Sequence, residues 1–91
     1  MAHSISAQKR VRQNITARSR NRWRLRTMRD AIKDFQQHLA SGDLDSARES
    51  MRKAGSVIDR TAQKGVIHKN QAARRKSRMV AALKRQAQAA G

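Results

Sequence analysis

Three stripes of apolar residues at helical spacing run along the chain and predict three helices. In each stripe the apolar residues recur mostly at steps of three and four, which places their side chains on one face of a helix. The first stripe is Leu25, Met28, Ile32, Phe35 and Leu39, the second is Leu44, Ala47, Met51, Ala54, Ile58 and Ala62, and the third is Ala72, Met79, Leu83 and Ala87 with Val80 beside it. We therefore expect an all-α fold, a three-helix bundle whose first two helices form a hairpin.

Two short turns that contain glycine separate the stripes. Gly42 suits the left-handed backbone position that ends a helix, and Asp43 suits the N-cap of the next helix. Gly65 is placed to end the second helix in the same way, after which His68 or Asn70 begins the third. The length of 91 residues sets an expectation of a single domain over residues 1–91.

The segment before Leu25 follows a different pattern. Nothing in it breaks a helix, so helix one is predicted to extend back towards Ser6, but its basic side chains point in every direction around the helix. A helix that is polar all round cannot lie on a protein core. We expect residues 1–24 to project as a basic rod from a bundle core formed by residues 25–91. We also expect this rod to be frayed in the free protein and helical when RNA encloses it.

The distribution of charge identifies the class of partner. The chain has 22 Lys and Arg residues against six Asp and Glu, and a net charge of +16. Residues 1–29 and residues 60–91 each carry nine basic side chains and no acidic one, whereas residues 30–59 have a net charge of −2. Charge of this density calls for a polyanionic partner, of which nucleic acid is the commonest and an anionic membrane surface the rival. Both ends are therefore predicted to bind a polyanion.

Helix three is predicted to have one apolar face and one basic face. Arg74, Arg78 and Arg85 lie opposite the apolar stripe at the helical period, and their planar guanidinium groups match phosphate oxygens. At the start of this helix, free N–H groups together with Lys69 could hold a phosphate. Lys76 falls on the apolar side, where it must snorkel unless the apolar face is oriented slightly differently. The alternative interpretation is a capped turn followed by a solvated basic face, which so high a charge density disfavours.

Residues 64–78, which read KGVIHKNQAARRKSR, also carry a resemblance. The string resembles the signature that joins the second and third helices in the bacterial small-subunit ribosomal protein S20 family. Further matching positions are Ser6-Ala7, Lys9-Arg10, Asn21, Gly42-Asp43 and Ile58-Asp59, so that the resemblance covers the whole chain. Gln71, Arg75 and Met79 are mild departures from the family pattern, and Trp23 is a less usual residue at its position.

The resemblance implies a three-helix bundle with a long first helix, in the lower body of the small ribosomal subunit in the cytoplasm. It also implies direct binding to the small-subunit (16S) ribosomal RNA early in assembly, with other ribosomal components nearby. The RNA-binding candidates on the rod are Lys9, Arg10, Arg12, Arg18, Arg20, Asn21, Arg22 and Arg24. Those around helix three are Lys64, His68, Lys69, Asn70, Arg74, Arg75, Lys76, Ser77, Arg78 and Arg85.

Catalytic, metal and cofactor chemistry are not expected. The chain has no cysteine, and His3, His38 and His68 are far apart in sequence with no set of carboxylates around them. Asp30 and Asp34 with Lys33 are interpreted as a mixed-charge outer face of helix one. No phosphate-cradling glycine loop and no nucleophile motif is present, so neither an enzyme nor a small-molecule substrate is predicted. No apolar run approaches the roughly 20 residues that span a bilayer.

Three other functions compete with RNA binding. A histone-like, nucleoid-associated DNA binder would share the charge and the helices, but would usually carry a recognisable groove-reading helix or dimer interface. An organelle transit peptide over residues 1–29 and a membrane-surface peptide both require an amphipathic helix, and no apolar face precedes Leu25. Off the RNA we expect a monomer. Trp23 could stack on RNA, but we favour packing against the apolar stripe that begins at Leu25.

Overall fold

Three helices make up the fold of the described residues. The computed structural model describes residues 5–90. The first four residues of the expected rod, which include His3, lie outside that range. Helix α1 is Ile5–Ala40, α2 is Leu44–Gln63 and α3 is Lys69–Ala90, with no strand between residues 5 and 90. The predicted all-α bundle with a long first helix is confirmed.

Helix α2 lies at the centre of the bundle, packed against both α1 and α3. Most residues of the predicted stripes lie in the core or pack against it, whereas Val80 is 39% exposed. The largest fully buried side chains are Met28, Phe35 and Ile58. The remaining buried hydrophobic residues are Ala47, Ala54, Ile67, Ala72, Met79 and Leu83. Two polar residues of α2, Ser50 and Thr61, are also buried, which the apolar spacing did not indicate. The core is narrow because alanine occupies three of its nine buried hydrophobic positions.

The turn between α1 and α2 has the geometry that was predicted. Gly42 has a φ of 82°. Its N–H donates to the carbonyl of Leu39 at 3.2 Å, and the N–H of Asp43 donates to that of His38 at 3.3 Å. This pair of bonds is a Schellman motif, which satisfies two of the carbonyls left free at the end of a helix. Asp43 then caps α2, because its carboxylate accepts the backbone N–H of Ser46 at 3.1 Å.

The turn between α2 and α3 repeats this arrangement. Gly65 has a φ of 76° and donates its N–H to the carbonyl of Ala62 at 2.9 Å. The N–H of Val66 donates to the carbonyl of Thr61 at 3.1 Å. Ile67 follows and is buried, so it holds the turn against the core. Two turns of the same type therefore fix the directions in which α2 and α3 begin.

The first half of α1 projects away from this core. The molecule measures 70 × 22 × 14 Å, and its radius of gyration is 18.1 Å. A compact domain of this length would have a radius of gyration of about 12 Å. Every residue from 8 to 23 is exposed. The described part of the predicted rod, residues 5–24, is therefore a helix with almost no protein around it.

Candidate nucleic-acid interface

The basic rod presents cations on all its sides. Seven of its eight candidate residues are exposed, and only Arg24, at the base of the rod next to α2, is partly buried. Among the residues that the structure describes, no candidate on the rod forms an ion pair with an acidic side chain. The charge of the rod is thus left uncompensated within the protein.

His68 caps the start of α3. Its carbonyl accepts the N–H of Ala72 at 3.1 Å, and its Nδ1 accepts the N–H of Asn70 at 3.1 Å. His68, Lys69 and Asn70 are all exposed, and the first turn of α3 contains no acidic residue. The prediction that His68 or Asn70 begins the helix is settled in favour of His68.

The two faces of α3 are as the periodicity predicted. Arg74, Arg78 and Arg85 are exposed, whereas Met79 and Leu83 on the opposite side are buried in the core. Ser77 and Lys64, two further candidates, are also exposed. One face of α3 therefore docks on the bundle, and the other carries a row of guanidinium groups.

Lys76 carries its charge past the apolar side, as expected, since its side chain is 44% exposed, but it meets an acidic residue of a neighbouring helix there. Its Nζ lies 3.2 and 3.1 Å from the two carboxylate oxygens of Asp59 on α2. Of the candidate residues in the described part of the chain, Lys76 is the one that forms an ion pair. The apolar periodicity could not indicate this pair, because Asp59 comes from another helix. Lys76 is held by the fold, and its charge is partly compensated.

Arg75 lies on the other flank of the apolar face of α3. It lines a groove between α1 and α3 together with Phe35, Leu39 and Met79. Its Nε is buried and has no hydrogen-bond partner within the described residues. Arg75 therefore lies in the groove where α1 and α3 do not pack closely, and much of its side chain packs against the residues of this groove.

Acidic residues of the central segment make contacts that support the fold, and within residues 5–90 Lys76 is the RNA-binding candidate with which one of them pairs. Asp34 of α1 accepts a hydrogen bond from the buried hydroxyl of Ser50 at 3.3 Å and lies 3.6 Å from Nε2 of His38. Asp34 is exposed, in agreement with its interpretation as part of an outer face, and it also reaches Ser50 of α2. The pairs Asp45–Arg48 and Glu49–Lys53 lie along α2. Four acidic residues of the central segment, Asp34, Asp43, Asp45 and Glu49, are thus used in a helix cap and in contacts along or between α1 and α2, and Asp59 pairs with Lys76 of α3.

The carboxyl group of Asp43 has a pKa that its surroundings lower. The hydroxyl of Ser46 donates to its carboxylate at 2.7 Å, and the N–H of the same residue donates to it at 3.1 Å. These two hydrogen bonds lower the pKa of Asp43 below its ordinary value of 3.8, since they favour the charged form. The cap is therefore ionised at neutral pH.

The core does not bury Trp23, for which packing against the apolar stripe that begins at Leu25 was the favoured of two interpretations. Trp23 is 63% exposed. At 100° per residue it lies about 140° around α1 from the buried Met28, so the core face of the helix points away from it. Its indole instead borders an open recess between α1 and the end of α2.

Sequence reasoning missed Arg60 as a member of the basic surface. Arg60 in the last turn of α2 and Lys64 at its C-cap lie one turn apart and border the same recess as Trp23 and Arg24 of α1. Their spacing of four residues indicates a shared helix face. That this face lies next to Trp23 depends on how α1 and α2 pack, and the sequence carries no signal for it.

Two properties of the described residues bear on other kinds of site. None of the helices between residues 5 and 90 is long and apolar enough to cross a membrane. Within the same range, no three His, Cys, Asp or Glu side chains come together in a group that could hold a metal ion.

Comparison with known proteins identifies the family. Residues 2–84 match the family model described as "Ribosomal protein S20". The "Small ribosomal subunit protein bS20" of Bordetella avium (strain 197N) is 49% identical over 84 residues, which cover 92% of this chain and 97% of the relative. The protein of the same name from Nitrosomonas europaea is also 49% identical with the same coverage, and that from Acinetobacter baylyi is 49% identical over 92% of this chain and 94% of the relative. The resemblance of residues 64–78 thus extends to the chain as a whole, which belongs to the ribosomal protein S20 family.

Proposed function

We propose that this protein is a structural component of the small ribosomal subunit, in the cytoplasm, and binds directly to 16S ribosomal RNA. It stabilises the fold of that RNA during assembly and catalyses no reaction. Membership of the family supports this role, since the relatives carry the name of a small-subunit protein. The interface we propose consists of the candidate residues of the rod and of α3, with the core formed by residues 25–91 holding the two surfaces at a fixed angle.

The observation that carries the proposal is the separation of unpaired cations from acids. All six acidic residues lie between positions 30 and 59. Among the described residues, the exposed Arg74 and Arg78 and the arginines of the rod have no acidic partner. Like charges this close repel one another, and neutralisation by phosphate removes that repulsion. A polyanion that meets both surfaces at once is therefore the partner that fits.

Binding is expected to act through phosphates and the shape of the RNA more than through base edges. Helical RNA has a deep, narrow major groove that side chains cannot read. With one Trp, one Phe and no Tyr, the chain cannot form an aromatic platform of the kind that single-strand readers use. We expect the rod to be enclosed by RNA helices, and α3 to lie along a backbone with its arginine row.

We expect folded RNA to be a better partner for this protein than duplex DNA. The histone-like alternative requires a helix that enters a groove or a second subunit that sets half-site spacing. No observation on this chain favours either, and the family is ribosomal. Off the RNA we propose a monomer, because two copies that each carry +16 repel one another.

The test compares structured RNA with duplex DNA. Filter binding of the full chain to 16S ribosomal RNA and to duplex DNA of equal phosphate concentration is measured between about 50 and 300 mM salt. Over this range the Debye length falls from roughly 14 Å to roughly 6 Å. The proposal expects tighter binding to the ribosomal RNA at every salt concentration, and co-sedimentation of the protein with small subunits. Equal affinity for the two polyanions, with no protein retained on small subunits, would overturn it.

A further inference from the structure

The recess beside Trp23 has a chemistry that the rod and the arginine row lack. The residues that line it are Trp23, Arg24 and Thr27 of α1, Val57, Arg60 and Thr61 of α2, and Lys64 immediately after α2. It encloses about 220 Å³. It combines an exposed aromatic ring with three cations and an apolar floor, and no acidic residue lines it.

We propose that this recess holds one unpaired nucleotide of the RNA, with its base stacked on the indole of Trp23 and its phosphate bound by Arg60 and Lys64. The inference rests on the proposed function and adds to it a single-nucleotide site. Aromatic side chains bind single-stranded bases by stacking, which any base can do because each has a π face. Bases inside an RNA helix are already stacked on their neighbours, so the nucleotide at this site comes from a bulge, loop or junction.

Thr27, Val57 and Thr61, which line the recess, favour stacking over hydrogen-bond recognition of the base. The hydroxyl of Thr27 donates to the carbonyl of Trp23 at 2.9 Å, and that of Thr61 donates to the carbonyl of Val57 at 2.7 Å. Both hydroxyl hydrogens are therefore used inside their own helices. The side chain of Val57 adds only apolar surface. A base in this recess gains contact area and few directed bonds, so we expect little preference among the four bases.

The cations favour a nucleotide over an apolar partner. Arg60 lies in the last turn of α2 and Lys64 four residues later at its C-cap, so the two like charges are close enough to repel one another. Arg60 donates its Nε to the carbonyl of Ser56 at 3.5 Å, and its two terminal nitrogens make no recorded bond within the described residues. A phosphate between these side chains would relieve the repulsion and accept the free donors. A hydrophobic protein segment would instead leave the three charges without counter-ions.

The size of the recess agrees with a surface-bound base. Sites that enclose small molecules generally have volumes of about 300–1,000 Å³, larger than this one. Trp23 is 63% exposed, so one face of the indole is open to a planar group. A nucleotide still joined to its RNA chain needs only such an open site, because the rest of the RNA holds it in place.

Intrinsic fluorescence gives a direct measurement, because the chain has one Trp and no Tyr. Titration of the full chain with 16S ribosomal RNA is expected to quench Trp23 and to reduce its accessibility to acrylamide. Polyphosphate, a polyanion without bases, serves as the control. It should bind through charge and leave the Trp23 emission intensity and its accessibility nearly unchanged.

Variants separate stacking from general attraction. Trp23→Leu is expected to weaken RNA binding by about fivefold or more, the lower end of what one stacked base contributes, whereas Trp23→Phe keeps most of the affinity. Arg60→Gln is expected to weaken binding more than Arg52→Gln, which removes the same charge from α2 at a position outside the recess. Because Trp23 is mostly exposed, its replacement should leave the circular dichroism spectrum of the free protein unchanged.

The outcomes distinguish this inference from the proposed function. If 16S ribosomal RNA binds tightly but Trp23 stays accessible and Trp23→Leu binds equally well, the nucleotide site is overturned and the ribosomal function stands. Equal quenching by polyphosphate would likewise overturn base stacking. If the wild-type protein shows no preference for ribosomal RNA over duplex DNA, the proposed function fails first, and the inference fails with it.

Discussion

Lys76 on α3 and Asp59 on α2 form an ion pair that ties the two helices together, with Nζ 3.1 Å from the nearer carboxylate oxygen. The two side chains are 44% and 58% exposed. Pairs this exposed contribute little stability, since water and salt screen them. The pair matters more for the distribution of charge, because it compensates one cation of the otherwise uncompensated α3.

Loss of the Asp59 carboxylate is therefore expected to affect RNA binding more clearly than folding. We expect Asp59→Asn to lower the free energy of unfolding by less than about 1 kcal/mol. It should also tighten RNA binding at low salt, because Lys76 then becomes available to a phosphate. Urea unfolding and filter binding at 50 and 200 mM salt, chosen within the range where phosphate contacts are salt-sensitive, measure the two effects. Unchanged or weaker RNA binding would contradict the role assigned to this pair.

The arginine row of α3 is expected to bind phosphate without supporting the bundle. Arg78→Ala should weaken binding to RNAs of every sequence to a similar extent. It should also reduce the slope of the logarithm of affinity against the logarithm of salt concentration by about 1. Arg74→Ala should behave in the same way, and neither change should lower the melting temperature. Lys76→Ala is the matched control on the same helix, and we expect a smaller loss of affinity from it. If both arginine variants bind as tightly as the wild type, the row has been misassigned.

The substitutions Gly55→Ala and Gly65→Ala are expected to change the free energy of unfolding in opposite directions. A Cβ atom would meet nothing within 4 Å at either Gly55 or Gly65, so space does not distinguish them. Gly55 lies inside α2, where alanine should raise the free energy of unfolding by about 0.5–1 kcal/mol. Gly65 has a φ of 76°, where a side chain costs about 1–2 kcal/mol. Thermal unfolding of Gly55→Ala and Gly65→Ala should shift in opposite directions, and equal shifts would contradict the backbone argument.

The cap at Asp43 is expected to make α2 sensitive to acid. Its pKa is lowered in the folded state by the two hydrogen bonds from Ser46. Its contribution is therefore fully present above the unfolded pKa near 3.8 and is lost as the pH falls through the lower, folded value. Asp43→Asn still caps but does not titrate, so it serves as the reference. The difference in melting temperature between wild type and Asp43→Asn should shrink below about pH 4. A difference that stays constant there would contradict this account.

The described part of the rod is expected to be a stable helix only when RNA surrounds it. A helix whose residues pack against nothing is marginal in water, and residues 8–23 are all exposed. In the free protein, amide hydrogens of residues 5–24 should exchange much faster than those around Ile58 of α2. Addition of 16S ribosomal RNA should slow exchange in the rod and raise the helical signal in circular dichroism. Equal protection with and without RNA would count against folding on binding.

The fold followed from the sequence because local signals agree with one another. Apolar spacing placed all three helices, and Gly42 and Gly65 placed the turns to the residue. Both glycines occupy the left-handed position that other residues adopt at a cost, so these boundaries have a local cause. The two basic surfaces could be recognised without a structure. Residues 1–29 and 60–91 each carry nine basic and no acidic side chains, and this net positive charge already indicates a polyanionic partner.

Only the tertiary structure decided which side chains meet across helices. Lys76 pairs with Asp59, Arg75 spans a groove against Phe35, and Trp23 stands exposed beside Arg60. Each of these relations depends on the rotation and offset of one packed helix relative to another. Periodicity within a single helix contains no information about that offset. The sequence by itself therefore determined the helices, the turns and the charge of the two surfaces, whereas packing decided which cations remain free and where the single tryptophan lies.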